Sequence, residues 1–285
     1  MRKNLFFILI IIFGLIIAAY GYFIEPRMLE INRYVVQDSG LKGVKIVFAS
    51  DFHIKPYGKK RLDKIVNLIN AENPDLVLSA GDYVCGHPKH STMPIDKIAQ
   101  KLGNIKSKYG FYTTLGNHDG WYGAETIASA LEKNNIKVLS NKNVRIDING
   151  QKFYIAGVED LMTGEPRIYK ALEGIDEHKD FVIMLSHTPD MFPKIPNDIK
   201  LTLAGHTHGG QVRIPFLGSI FTASNYGDKY ALGWIREVDN KTVKPEKSKP
   251  ISLAHKTLFT TKGLGVSIFP FRFNCVPEID VIEFE

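Results

Sequence analysis

Val44-Lys45-Ile46-Val47-Phe48-Ala49-Ser50-Asp51-Phe52-His53 is an apolar run that ends abruptly on a carboxylate and an imidazole. A short apolar stretch rich in β-branched residues reads as a buried strand, and Asp51 marks its end. The same phrase recurs down the chain. Leu76-Val77-Leu78-Ser79-Ala80 runs into Gly81-Asp82, and Phe111-Tyr112-Thr113-Thr114-Leu115 into Gly116-Asn117-His118-Asp119. Phe181-Val182-Ile183-Met184-Leu185 leads to Ser186-His187, and Leu201-Thr202-Leu203-Ala204 to Gly205-His206-Thr207-His208. Five strand ends are therefore expected to deliver polar groups to one edge of a sheet.

Residues 61–70 between the first two runs place Leu62, Ile65, Val66 and Ile69 on one helical face, and Asn73-Pro74-Asp75 ends that helix. Further helices are predicted over 95–102 and 124–133. Strand alternating with helix implies a parallel sheet. After residue 136 the pattern turns antiparallel, with strands at 144–148 and 153–158 flanking the Asn149-Gly150 hairpin turn. Residues 230–238 and 278–284 read as β-rich. The expected fold is α/β: a layered sandwich of two mixed β-sheets flanked by helices, preceded by a transmembrane helix. Its parts are an anchor over 1–24, a linker and first strand over 25–43, and one catalytic domain over 44–285.

Composition narrows the class. The 285 residues are 44% hydrophobic and 23% charged, which suits a full core and excludes a disordered chain. Only Cys85 and Cys275 are present, so a disulfide framework and a cysteine zinc cage are excluded, and both thiols are expected to be free. A net charge of +6 favours acidic partners such as phosphates or anionic lipid. Nucleic acid is not expected, because no Arg-rich helix or aromatic-basic alternation occurs. Basic residues gather at Lys59-Lys60-Arg61 and between Lys241 and Lys249. Such runs are ordinarily solvated surface; the alternative is a face for a membrane or a phosphate.

From Leu5 to Phe23 the chain carries no charge, between Arg2-Lys3 and Glu25-Pro26-Arg27. That length suffices to cross a bilayer, which takes ~20 residues. A signal peptide would have to use Ala19-Tyr20-Gly21 as a poor cleavage site. The apolar stretch continues past it and the tyrosines suit an interfacial belt, so a retained single-pass anchor is expected. Arg2 and Lys3 lean the catalytic body outward, against Arg27 and Arg33 on the other flank.

The five polar clusters supply the donors of a two-metal hydrolytic site. Two divalent cations side by side orient a phosphoryl group and neutralise attacking and leaving oxygens, given mixed oxygen and nitrogen ligands and one bridging carboxylate. Asp82 is the candidate bridge, since Gly81 permits a tight turn. In Asp51-x-His53 and His206-x-His208 the donors sit two apart, so extended segments would point each pair to one side and let each grip one site. Gly209-Gly210 is expected to leave room for a substrate phosphate.

Gly-Asn-His-Asp, Gly-His-Thr-His and the three shorter clusters, in this order from Lys45 to His208, resemble the calcineurin-like metallophosphoesterase superfamily. The resemblance implies two divalent metal ions (Mn, Fe, Zn or Co), one on Asp51, His53, Asp82 and His208, the other on Asp82, Asn117, His187 and His206. It implies that His118 is a non-ligand acting on the phosphoryl group or leaving oxygen. Several branches place an aspartate three residues after the bridge to orient that histidine; here the position is Cys85, and Asp119 is the substitute considered.

Residues 261–265 and 272–279, with Gly209-Gly210-Gln211 and the amino-terminal anchor, look like the membrane-anchored branch that includes UDP-2,3-diacylglucosamine hydrolases of lipid A synthesis. This implies a phosphate-containing substrate, in that case a lipid-linked nucleotide. Trp121, Tyr122, Phe216, Phe221, Phe269, Phe271 and Phe273 are candidates to line an apolar path, and Arg213 and Arg272 to neutralise substrate phosphates. Competing readings are a broad extracytoplasmic phosphodiesterase or phosphomonoesterase and, from another class, a non-catalytic metal-stabilised membrane scaffold.

Overall fold

Alternation along the strands sorts the side chains of this computed structural model into layers. It describes residues 2–37, 39–86, 89–238, 241–245 and 249–285, with the side chains of Arg2, Lys3 and Lys89 and part of the Lys241–Lys249 stretch outside the described residues. In chain order the first half comprises α1 Arg2–Ala19, β1 Glu30–Gln37, β2 Lys45–Phe48, α2 Lys59–Ala71, β3 Leu76–Ser79, α3 Ile95–Leu102, β4 Phe111–Thr113, α4 Asn117–Glu132 and β5 Ile136–Val138. The second comprises β6 Lys142–Ile148, β7 Gln151–Gly157, α5 Ile168–Ala171, β8 Val182–Ser186, β9 Leu201–Ala204, β10 Arg213–Ile214 and β11 Gly218–Ser219. It closes with β12 Gly233–Val238, β13 Lys241–Val243, β14 Ile251–Ser252, β15 Thr257–Thr260 and β16 Glu278–Phe284.

Two seven-stranded sheets form, ordered β14-β1-β16-β2-β3-β4-β5 and β13-β12-β15-β9-β8-β7-β6. Val47, Val77 and Val281 face the helices α2, α3 and α4, whereas Ile46, Phe48, Leu76, Leu78 and Ile282 face the other sheet. There they meet Ile155, Ile183, Leu185, Leu201, Leu203 and Phe259. Val182 and Met184 turn outward under a thinner cover that includes α5. The layered α/β sandwich of two mixed sheets is thus the observed architecture.

The clusters do not share one sheet edge, as the apolar runs had suggested. β2, β3 and β4 belong to the first sheet and β8 and β9 to the second, so the site lies where parallel strand ends from both sheets face each other. The predicted helix over 124–133 begins earlier, at Asn117, and is kinked at Gly123. The Asp119 carboxylate accepts the Gly116 N–H at 3.1 Å, which starts the helix seven residues upstream.

The segment over 25–43, read as a linker and first strand, contains β1. β1 runs parallel to β16 from Glu30 opposite Glu278 to Val36 opposite Phe284, placing it inside the first sheet. Ahead of it, α1 continues through a π-helical turn at Tyr20–Ile24 and a 3-10 turn at Glu25–Arg27. Asn4–Arg27 is the one helix among the described residues that is long and apolar enough to cross a membrane, with mean hydropathy 2.6 and little of it buried. Its carboxyl end is seated on the domain. The Arg272 N–H donates to the Gly21 carbonyl at 2.9 Å, and a Cβ at Gly21 would lie 2.3 Å from the Phe271 ring. Glu25, 1% exposed, accepts the backbone N–H of Asn274 at 3.0 Å and of Cys275 at 2.5 Å.

Glu25→Ala orphans the buried Cys275 N–H and removes the partner of the Asn274 N–H, and is expected to cost about 1–3 kcal/mol of domain stability. Denaturant unfolding of the detergent-solubilised chain measures it; a loss below ~0.5 kcal/mol would show that this junction does not hold the domain.

Candidate metal centre

Each candidate ligand stands just beyond the end of its strand, on backbone that turns sharply. Asp51, His53, Asp82, His206 and His208 have φ between 40° and 70°, the left-handed region. The extended geometry expected for Asp51-x-His53 and His206-x-His208 is therefore replaced by tight turns. Left-handed backbone costs of order 1–3 kcal/mol per non-glycine residue and persists where surrounding contacts fix it. Here the ladder continues past the strands: Asp51 N–H donates to the Gly81 carbonyl at 2.9 Å and His53 N–H to the Asp82 carbonyl at 3.0 Å.

Asp82 stands at the centre. Its Oδ2 lies 3.4 Å from His53 Nε2 and 3.3 Å from His187 Nε2, while its Oδ1 accepts the His118 N–H at 2.9 Å. On one side His53 Nε2 is 3.1 Å from His208 Nε2, which lies 3.8 Å from Asp51 Oδ1. On the other, His187 Nε2 is 3.1 Å from His206 Nδ1 and 2.9 Å from Asn117 Oδ1. Asp51, His53 and His208 form one group able to hold a cation, and Asp82, His187 and His206 form another. Asp51 and His53 stay together, but His206 and His208 part company, one to each group, so the second pair does not grip a single site.

The surroundings fit metal ions. His53 Nδ1 faces the Val84 carbonyl at 3.0 Å and His187 Nδ1 the Ala80 carbonyl at 2.8 Å. A carbonyl only accepts, so both rings carry a proton on Nδ1 and direct Nε2 inward, the usual outer-shell arrangement of a metal-binding histidine. Asp51 Oδ2 is buried with no hydrogen-bond partner. Such an atom calls for a cation. Glycine is obligatory beside two ligands: a Cβ at Gly116 would lie 2.2 Å from Asp82 Oδ1, and one at Gly205 would lie 2.3 Å from Asp51 Oδ2.

Charge is distributed accordingly. Burial pushes His53 and His206 down to about 3, leaving neutral imidazoles at physiological pH. Burial pushes the Asp51 carboxyl up to about 7. Burial would also lower His187 and raise Asp82, but their mutual attraction outweighs it. His187 rises to about 10 and Asp82 falls well below the carboxylate range. A proton on His187 thus occupies the place a metal ion would take.

His118, at the start of α4, points its Nδ1 to the Cys85 carbonyl at 2.8 Å and its Nε2 to Ser267 Oγ at 3.3 Å. Asp119 does not orient it. Its carboxylate instead accepts from the backbone of Asp82 at 2.7 Å and Tyr83 at 2.9 Å, which ties α4 to the turn after β3. The residue at the aspartate position of other branches therefore acts through its main chain. Both cysteines are free thiols.

A cavity of about 520 Å³ opens over Asp82, Asn117, His118, His206 and His208. Trp121, Leu161, Met162, Phe221 and Ile268 give it apolar walls. Phe216 and Phe269 are exposed and do not line it, Tyr122 packs on the helical core, and Phe271 lies against Gly21 of the amino-terminal helix. The two arginines proposed for phosphates are engaged elsewhere. Arg213 pairs with Asp228 at 2.9 and 3.0 Å, and Arg272 is fully buried among the carbonyls of Lys262, Gly263, Gly265 and Cys275. Gly209 and Gly210 are small for internal packing: Cβ atoms there would lie 2.9 Å from Cys275 Sγ and 1.8 Å from Ser219 Oγ. Ser267 and the Cys85 carbonyl escaped the sequence reading, since no spacing links either to His118.

A site of this kind, at strand ends between two mixed sheets, defines a two-metal phosphoester hydrolase. Residues 44–210 match the family model of calcineurin-like phosphoesterases, and the chain belongs to that family, whose members use a dinuclear divalent metal centre. It is similar to the uncharacterized metallophosphoesterase YkuE of Bacillus subtilis, with 30% identity over 93% of this chain and 89% of the relative. It is also similar to the phosphodiesterase YaeI of Escherichia coli, with 26% identity over 93% and 91%. Among solved structures, a 5'-nucleotidase precursor from Thermus thermophilus aligns with a TM-score of 0.45 and 17% identity over 78% of this chain. The chain spans 49% of that protein's length.

Because the metal-free site binds a proton on His187 at pH 7 and shares one on Asp51, metal loading must release protons, and affinity must rise with pH. Manganese titrations by calorimetry at pH 7 in buffers of different ionisation enthalpy are expected to show net release. Buffer-independent heats would contradict the charge pattern.

Proposed function

We propose that this chain is a hydrolase tethered by its amino-terminal helix, cleaving a phosphodiester or pyrophosphate bond in a substrate carried by a lipid. One cation would be held by Asp51, His53, Asp82 and His208, the other by Asp82, Asn117, His187 and His206. The observation that carries this reading is the Asp82 carboxylate, within 3.4 Å of imidazoles from both groups. Oxygen and imidazole donors suit manganese, iron, zinc or cobalt. When bound, such a pair of ions supplies an activated water and charge neutralisation at a phosphoryl group.

The chain's own residues do the rest. Asp82 and Asp51, both buried, fix the approach of the rings, and the apolar walls restrict water around the phosphoryl group. His118 holds its Nδ1 proton against the Cys85 carbonyl, so its Nε2 is the atom free to meet the substrate. Protonated there, it would donate to the oxygen that leaves. Ser267 at 3.3 Å shares that position and would contact a phosphoryl oxygen.

The diester assignment draws support from the similarity to an enzyme named as a phosphodiesterase. A lipid-bearing substrate is supported by the apolar cavity walls, which include the exposed Phe221 and Ile268. In its most specific form the reading takes the pyrophosphate of UDP-2,3-diacylglucosamine as the bond cleaved. Retention of the anchor is supported by the Gly21 carbonyl and Glu25 carboxylate, both bonded to the domain. Anchoring leaves the side of the membrane open.

With manganese, the purified chain is expected to hydrolyse bis-p-nitrophenyl phosphate. His118→Ala should keep its metal while losing about 10²–10⁴ in kcat. Full activity in that variant would remove His118 from the mechanism. A panel of soluble diesters, monoesters and UDP-2,3-diacylglucosamine should show preference for the lipid-bearing pyrophosphate; equal or better turnover of the soluble diesters would refute the lipid assignment.

A further inference from the structure

A second cavity, of about 530 Å³, lies where the amino-terminal helix meets the domain; it shares no lining residue with the metal-site cavity, and of the candidate metal ligands only His53 reaches its wall. Arg27, Lys55, Lys60, Arg61 and Lys64 line it, and among the described residues no carboxylate does. Five cations around one hollow without a counter-charge repel one another, and their combined field attracts an anion.

The local contacts sharpen this. Arg61 is half-buried and its guanidinium donates to the Leu264 carbonyl, with no acidic partner among the described residues. Burial and the neighbouring Arg272 and Arg27 charges lower its pKa to about 10. Lys60 and Lys64 stand exposed at the rim, one helical turn apart on α2, and neither makes an ion pair among the described residues. The first turn of α2 carries Lys59, Lys60 and Arg61 and no acid, the reverse of what a helix start favours. The adjacent Asp63 is already held by Lys59 and Lys101 at 2.8 and 2.7 Å.

The position of the mouth selects the anion. Tyr22, in the last turns of the apolar helix, and Tyr57, 96% exposed, flank the cavity with Pro26 and Pro270. Aromatic side chains at the end of an apolar helix mark the depth of lipid headgroups. Basic pockets at that depth take anionic lipid.

We propose that this cavity is a binding site for the phosphate of an anionic phospholipid headgroup, with Arg61 at its base and Lys60 and Lys64 at its rim. It rests on the anchored reading of the amino-terminal helix, but not on the metal centre. Bound there, the lipid supplies the missing counter-charge and fixes how the domain sits on the bilayer.

The test uses the full-length, metal-loaded protein in non-ionic detergent, titrated with dihexanoyl phosphatidylglycerol, dihexanoyl phosphatidylcholine and inorganic phosphate by calorimetry. Saturable phosphatidylglycerol binding is expected, at least tenfold tighter than phosphatidylcholine. The double variant Lys60→Gln/Lys64→Gln should weaken it at least tenfold while hydrolysis of bis-p-nitrophenyl phosphate and the melting temperature stay unchanged. Lys152→Gln, at the start of β7 on the far end of the sheets, should leave binding unchanged. Any phosphatidylglycerol binding that the double variant retains in full belongs to the metal centre and would overturn the proposal. So would equal affinity for the two lipids. Inorganic phosphate binding as tightly as phosphatidylglycerol, with the same lysine dependence, would assign the site to free phosphate and overturn the lipid source. Flotation with phosphatidylcholine vesicles tests the anchor separately: a chain that floats but lacks the lysine effect refutes this site alone.

Discussion

A single buried carboxylate sets the terms for the rest of this molecule. Asp82 is 1% exposed and lies between imidazoles delivered by two different sheets. A charge so placed is costly unless cations answer it, and the protein turns the inward nitrogens of His53 and His187 toward it. In the absence of metal, the proton on His187 supplies part of the answer. Two divalent ions supply it in full, which is why the same geometry that is uncomfortable alone becomes favourable when loaded.

Holding that carboxylate in place depends on the packing between the sheets. Phe48, Leu78, Leu185 and Leu203 sit just before the ligand turns and interlock across the sandwich, so each turn starts from a fixed point. The strained left-handed turns at Asp51, Asp82 and His206 are then closed by hydrogen bonds between neighbouring strand ends. Gly116 and Gly205 let main chain pass within reach of Asp82 and Asp51. Asp119 contributes from behind, joining α4 to the Asp82 turn without touching substrate-facing groups.

The apolar runs and the polar clusters behind them were legible in the sequence, because buried strands and ligand types leave a direct residue signal. Which sheet each strand joins was not, since Leu76–Ser79 and Leu201–Ala204 are alike in apolar character while pairing in different sheets. The start of α4 was hidden by Gly120 and Gly123, which discourage helix, and was fixed by the Asp119 contact to Gly116. Split duty for His206 and His208 follows from left-handed backbone that the two-residue spacing does not reveal. Arg272 looked like a phosphate ligand by chemistry alone; only burial shows that its donors are spent on carbonyls. The contact of His118 with Cys85 involves main chain, to which side-chain identity is blind.

The amino-terminal helix and the site are parts of one structure. The segment over residues 262–275 receives Gly21 and Glu25 on one side and presents Ser267 to His118 on the other. The amino-terminal helix, basic cavity and metal-site cleft are consequently held in fixed relation. The central claim is that two cations share Asp82, and anomalous diffraction from manganese-loaded crystals tests it most directly. Two peaks roughly 3.5–4 Å apart, flanking the Asp82 carboxylate, are the expected result. A single peak, or peaks away from Asp82, would contradict it.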